Sequence, residues 1–532
     1  MDLYLLLIGA VILSCILFSR LLRKIPLPSL LIFIALGMLL GENGILGITF
    51  NNYSISNAIC SVSLIFIMFY GGFGTNLSCA RPVLLQAGVM STLGVVFTAF
   101  LVGAFGYFVL GCSWLESLLI GSVISSTDAA SVFNILRSKK LSLKYHTDSL
   151  LEVESGSNDP VSYMMTAILL TLLSGQEISI PLMFAKQIGF GIVCGLLIGK
   201  LAVLILNSSI FTGEHERTVL AFSVAVLAYA LPSALGGNGY LSVYLCGIFM
   251  GNSALPQKRY LVHFFDVLTD VAQVLIFFLL GLLVTPLELP AVAGPALLLM
   301  LFLTFIARPL VSAVLLGCFR ARKEQIGVVS WAGLRGAASI VFAIMAVLQG
   351  AMLRYDLFNL VFCIVLFSIA FQGTLLPWIS RKLGMIDETS DVRKTFTDYQ
   401  EESDINFVKI TIGNTHPWKG KRLREILSLK GLLVVMILRG EKTLVPHGET
   451  RVCEGDILVL AAREFEGSDT LELREISVDR NHKWNGKRIQ ELNLPSGSLI
   501  VMIQRKNQTI IPRGNTLIKE QDVLVEADII KP

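Results

Sequence analysis

Residues 121–133 read GSVISSTDAASVF, and residues 331–342 read WAGLRGAASIVF. Each string interrupts a long apolar run with groups that hydrocarbon does not tolerate on its own. In the first, Ser125, Ser126, Thr127 and Asp128 follow one another, and their side-chain oxygens compete with helix hydrogen bonds and permit local unwinding. In the second, Gly333, Arg335 and Gly336 stand in the matching place, and AASVF from Ala129 agrees with AASIVF from Ala337. Interrupted apolar segments in corresponding halves of a chain point to inverted repeats whose broken helices cross near the bilayer midplane. The expected fold class is an all-α polytopic membrane protein with crossed broken helices.

Composition agrees. Of 532 residues 54% are hydrophobic and 15% charged, and the mean hydropathy is +0.70, outside the range of soluble domains. Of the 82 Asp, Glu, Lys and Arg residues, 37 lie in the first 385 positions and 45 in the last 147, so two solvents are implied. The net charge of +4 comes without a basic stripe interleaved with aromatics, which argues against nucleic acid as a partner. The nine cysteines are scattered singly, without the spacing of a disulfide framework or a zinc site.

Counting apolar runs that can cross about 30 Å of hydrocarbon yields thirteen, from Leu3–Phe18 to Leu357–Leu383. Alternate connections carry the basic residues: Arg20, Arg23 and Lys24; Arg81; Arg137, Lys139, Lys140 and Lys144; Arg217; Lys258 and Arg259; Arg320, Arg322 and Lys323; Arg381 and Lys382. Basic loops face the cytoplasm, so the N-terminus is expected outside and the C-terminus inside the cytoplasmic (inner) membrane. The expected transmembrane domain is 1–385, surrounded by lipid.

Ionisable groups inside spans cost about 2.5 to 3.5 kcal/mol each at a helix centre, so each is a functional candidate. Asp128 is one. Glu154 and Asp159 are two more, in ESGSNDPVS, where Pro160 follows the acid and bends the span. Asn158 and Asp159 can both reach a cavity, the amide through its oxygen and the acid by holding a proton or a hard cation. One carboxylate that holds either is what an exchanger requires. Arg308, in FIARPL, and Arg335 each need an acidic partner; Arg335 is the preferred partner of Glu154 and Arg308 the alternative. Asp266 and Asp270 read as acids in the first turns of the tenth span, complementing its dipole.

After Leu383 the pattern changes. Residues 386–404 read as a linker, and beyond it HPWKGKRLREI from His416 recurs as HKWNGKRIQEL from His482, and LVVMILR from Leu433 as LIVMIQR from Leu499, at a constant offset of 66. Two small α+β cytoplasmic modules are expected, at 405–465 and 470–532.

At Thr127-Asp128, the Glu154 to Asp159 string with Asn158-Asp159, Arg308-Pro309 and Gly333 to Gly336, the chain resembles the bacterial sodium or potassium/proton antiporters of the NhaP type, within the cation:proton antiporter superfamily. The resemblance covers roughly the first 385 residues. It implies thirteen spans divided between a dimerisation domain and a core domain that moves like an elevator, and hence a homodimer. It also implies an ion site for K+ or Na+ on Asp159 and Asp128, with Asn158, Ser155 and Thr127 supplying neighbouring oxygens, no cofactor, and electroneutral exchange because Asn precedes Asp159. Tyr70 stands where relatives often have an acid before Gly71-Gly72. The tail modules are similar to the RCK_C (TrkA_C) regulatory modules of potassium-transport proteins, which points to potassium, cell-volume control and a small cytosolic ligand. The competing function is a ligand-gated potassium channel, against which stands the absence of a TVGYG-like filter string. A membrane enzyme is the third, and HExxH, GxSxG and P-loop patterns are missing.

Overall fold

The structure, a computed structural model, describes most of residues 29–387 and 405–529. Positions 1–28 other than Gly9 and Leu13, the stretch 388–404 and short segments including 129–130, 133–134, 137–140 and 464–470 lie outside the described residues. The first apolar run and nearly all of the linker therefore fall outside them. The chain divides into two units, Met1–Gln400 and Glu401–Pro532.

In the first unit the described helices, apart from a single turn at Leu77–Ala80, are Ser29–Leu40 (α1), Tyr53–Gly74 (α2), Leu84–Phe108 (α3), Trp114–Ser125 (α4), Thr147–Leu173 (α5), Ile180–Leu206 (α6), Glu214–Ala234 (α7), Gly239–Gly251 (α8) and Lys258–Leu283 (α9). Leu289–Cys318 (α10), Lys323–Trp331 (α11), Ala337–Leu348 (α12) and Leu357–Lys382 (α13) complete them. Seven of these, α2, α3, α6, α7, α9, α10 and α13, are long and apolar enough to cross a membrane. Helix α5 has 27 residues, but its first half carries Asp148, Glu152, Glu154 and Asp159. Helices α4 and α12 have 12 residues each, about 18 Å of rise, so each reaches only part of the way through the hydrocarbon.

Both expected breaks are present. Helix α4 ends at Ser125, the backbone turns extended at Ser126, and helix is described again at Ser131 and Val132. The other break separates α11 from α12 across Gly333 to Gly336. The two touch through their backbones, with Asp128 N donating to Leu334 O at 2.8 Å. Close approach requires glycine: a Cβ on Gly336 would collide with the Asp128 carboxylate. Glycines also let helices meet backbone to backbone, Gly37 against Gly281 (α1 and α9) and Gly247 against Phe69 O (α8 and α2), the small-residue contact that membrane helices use in place of a hydrophobic drive.

Wide π turns interrupt α3 at Met90–Gly94, α10 at Leu303–Ala307 and α13 at Ser368–Gly373. The α10 turn immediately precedes Arg308 and Pro309, where the proline cannot donate to the helix ladder. Before α5 the loop is clasped to the chain that leaves α13. Leu143 bridges Ile386, Lys144 N donates to Met385 O at 2.8 Å and Asp387 N to Ser142 O at 2.9 Å.

The second unit holds two four-stranded antiparallel sheets. Strands Ile405–Thr411 (β1), Leu432–Arg439 (β2), Lys442–Leu444 (β3) and Ile457–Arg463 (β4) run in the order β1-β4-β2-β3. Strands Leu471–Ser477 (β5), Ser498–Arg505 (β6), Gln508–Ile510 (β7) and Asp522–Ile529 (β8) run β5-β8-β6-β7. The sequence offset is kept in detail: bulges fall at Val434/Met436 and Ile500/Met502, and Arg439 grips Asp456 as Arg505 grips Asp522. Each module closes on its own apolar core, around Ile437 and Leu458 in one and Ile503 and Leu524 in the other.

Candidate functional site

Helix α5 brings its acids to the α4 break. Asp159 is 9% exposed, and Ser126, the first residue of the break, donates its hydroxyl to Asp159 Oδ1. One turn earlier Ser155 Oγ lies 2.8 Å from Thr127 Oγ1, and Asn158 Nδ2 donates to the same hydroxyl at 2.5 Å. Asn158 Oδ1 is buried without a hydrogen-bond partner among the described residues. Asp128 accepts from Ser131 N at 3.2 Å and from Ser131 Oγ at 2.5 Å, so it caps the helix that resumes after the break. Helices α4 and α5 are held in this register below the site by Ser162 Oγ donating to Ser122 O at 2.6 Å and by Ser122 Oγ lying 3.0 Å from Thr166 Oγ1. The five expected ion-site residues thus lie in one cluster, and what it offers is oxygen: one carboxylate on α5, one at the break, hydroxyls and an amide oxygen.

The arginines divide the remaining work differently from the sequence expectation. Arg308 Nη2 lies 2.5 Å from Glu154 Oε1, both side chains nearly fully buried. Arg335, the preferred partner, does not make this pair. Its Nη1 donates to Ser125 O and to Ser126 O, both at 2.7 Å, where α4 ends and leaves carbonyls without helical donors. A cation placed there also complements the negative end of the helix dipole. Backbone at Arg335 is pinned by Ser368 Oγ at 3.1 Å, which in turn donates to Gln372 Oε1 at 2.6 Å within the π turn of α13.

A cavity of about 90 Å³ opens beside Asp159, Asp128, Thr127 and Ser155, with room for several waters. Its other wall holds residues that the sequence reading assigned elsewhere. Asp266 and Asp270 are not in the first turns of their helix, because α9 begins at Lys258, nearly two turns earlier than expected. With Thr269 and Gln273 they line the cavity, and Tyr70 Oη donates to Asp266 Oδ1 at 2.8 Å. The signal was available as polar residues at i, i+3, i+4 and i+7 in an apolar span, one face of a helix. Glu152 and Tyr244 also line this cavity.

The family model described as "Sodium/hydrogen exchanger, transmembrane" matches residues 9–382. The chain belongs to this family. Its membrane unit is therefore an exchanger fold, and the second unit matches the TrkA-C domain twice, at 407–464 and 473–525. Among relatives within the exchanger family, the K(+)/H(+) antiporter NhaP of Alkalimonas amylolytica is 37% identical over 385 residues, 72% of this chain and 67% of that protein. The K(+)/H(+) antiporter NhaP2 of Shewanella oneidensis is 33% identical over 472 residues, 86% of this chain and 81% of that one. The sodium proton antiporter MjNhaP1 of Methanocaldococcus jannaschii shares the fold, with a TM-score of 0.64 at 22% identity over 72% of this chain and 99% of its own. Exchanger-family membership favours cation/proton antiport over the channel alternative.

Proposed function

We propose that this exchanger-family protein carries a monovalent cation one way and a proton the other across the cytoplasmic membrane, with Asp159 holding each in turn. Potassium is the favoured cation: relatives at 33% and 37% identity are named K(+)/H(+) antiporters, and TrkA-C modules follow the membrane unit. Sodium is the alternative, because a 26% identical relative in Aphanothece halophytica is named a Na(+)/H(+) antiporter. The protein works as a homodimer, N-terminus outside and C-terminus cytoplasmic, and its tail modules adjust activity in response to a small cytosolic ligand.

The observation that carries this reading is the meeting of Asp159 with the α4 break at a cavity. A carboxylate there satisfies a cation together with the oxygens of Thr127, Ser155 and Asp128, all of which line the same cavity. When the cation leaves, the same carboxylate takes a proton. Glu154 is already paired and Asp128 is engaged as a cap, so of these three acids Asp159 is the one that exchanges its occupant. One site that holds either one proton or one monovalent cation moves no net charge per cycle. Exchange is therefore electroneutral, and protons compete with the cation as pH falls.

The test is cation-driven proton flux in sealed vesicles, with membrane potential clamped and then imposed. Potassium should dissipate a pH gradient at a rate indifferent to potential, and Asp159→Asn should abolish it, since an amide neither releases a proton nor balances a cation. Rates that follow the potential, or wild-type exchange in Asp159→Asn, overturn the shared-carboxylate mechanism.

A further inference from the structure

Helix α9 presents Asp266, Thr269, Asp270 and Gln273 on one face, and all four line the cavity that also reaches Asp159. Two details separate this face from a merely acidic surface. Tyr70, 5% exposed, holds Asp266 through its phenol, a hydrogen bond between α2 and α9 at 2.8 Å. Thr269, 6% exposed, is one of the lining residues, and its hydroxyl is buried with no hydrogen-bond partner among the described residues. A buried hydroxyl left unsatisfied is costly, and beside a cavity with room for several waters it calls for an occupant.

We infer that Asp266 and Thr269, with Tyr70 positioning the carboxylate, form a second monovalent-cation position on the α2–α9 wall, distinct from the Asp159 site on the α5 wall. A carboxylate oxygen and a neutral hydroxyl one helical turn apart are hard oxygen ligands, and an alkali cation satisfies both. This rests on the exchange reading above: the second position receives the cation before Asp159 does and sets how much of it is needed, without taking part in the proton trade.

The full-length protein in sealed vesicles separates the two roles. Asp266→Asn should raise the half-saturating potassium concentration by about tenfold, as expected for one lost charged ligand, with maximal rate within about twofold and electroneutrality retained. Tyr70→Phe should move it in the same direction by about threefold. Thr269→Val, nearly isosteric, should also raise it, and decides the matter if Asp266→Asn does not reach the membrane. A second readout avoids transport altogether. In purified Asp159→Asn protein potassium should still raise the melting temperature, and in Asp159→Asn/Asp266→Asn it should not. Unchanged half-saturation in Asp266→Asn and Thr269→Val, or a fall in maximal rate alone, overturns the second position while leaving the Asp159 mechanism intact. Exchange persisting in Asp159→Asn would instead sink that mechanism.

Discussion

Arg308 reaches Glu154 across 154 positions of sequence and closes on it at 2.5 Å, with both side chains nearly fully buried. Truncating one member of such a pair leaves the other charge buried and unpaired, at about 3–5 kcal/mol. Glu154→Gln and Arg308→Gln should therefore each lower the melting temperature sharply. Their double mutant should be less destabilised than the sum by at least about 1 kcal/mol, and strict additivity in thermal melts of the purified protein would show that the pair is not coupled.

Arg335 is predicted to act through the α4 terminus. Because one Nη serves two carbonyls, Arg335→Lys keeps a charge but not the planar fork, and Arg335→Gln keeps neither. Transport should fall in both, further in Arg335→Gln. Wild-type rates in Arg335→Gln at normal membrane abundance would refute a role at the break.

Gly336 has no room for a side chain beside Asp128. Gly336→Ala should separate the two breaks and abolish exchange even though alanine is the mildest addition. Flux in vesicles, normalised to inserted protein, checks this, and an active Gly336→Ala protein would contradict the close approach.

The clasp between the α5 loop and the exit of α13 predicts a difference between two truncations. Ending the chain after Met385 removes Ile386 and Asp387, and with them the Leu143 bridge and the bond to Ser142 O. Ending it after Asp387 keeps both. Each truncation should still exchange cations for protons, with altered dependence on pH or on a cytosolic ligand because the tail modules are gone. The longer one should melt higher by the worth of one or two backbone hydrogen bonds, about 1–2 kcal/mol.

In the tail, burial pushes the Asp456 carboxyl up, but the Arg439 guanidinium and the Cys453 N–H outweigh it and hold the group below the ordinary carboxylate value. Asp522 is lowered in the same way by Arg505 and Lys519 N–H against its burial. A depressed folded value stabilises above the unfolded one, about 3.9, and that contribution is lost as pH falls through the folded value. Asp456→Asn should therefore destabilise its module by about 2 kcal/mol at neutral pH. The difference from wild type in thermal melts should hold from about pH 5 to 8 and shrink toward pH 3; a difference that grows on acidification would reverse the sign of this linkage.

The readable parts of the fold were those where a residue is costly by itself. A run of Ser, Ser, Thr and Asp in an apolar span announces unwinding wherever its partner lies, and both breaks are found where the strings placed them. The 66-residue repeat was legible because each module folds on local patterns of strand and turn. Asp266 shows the limit of a local boundary: the uninterrupted apolar pattern of the tenth span starts near Phe264, which puts the acid in a first turn, whereas α9 continues back to Lys258 because Lys and Arg tolerate the membrane interface. That one boundary moves Asp266 from a first turn to the third turn of α9, where it lines the cavity.

The amino-acid sequence by itself determined that this chain enters a membrane, where two of its helices break, which few charges stay inside, and that two like modules follow. Each is a one-residue or short-range property, set by the cost of a polar group in hydrocarbon or by the period of an apolar face. Tertiary structure alone decided which arginine answers Glu154, which one caps α4, and that Tyr70 and Asp266 line the same cavity as Asp159. Either arginine satisfies the charge requirement, so the choice falls to geometry: the wide turn before Arg308 accompanies its approach to Glu154, and the end of α4 leaves carbonyls to which Arg335 donates.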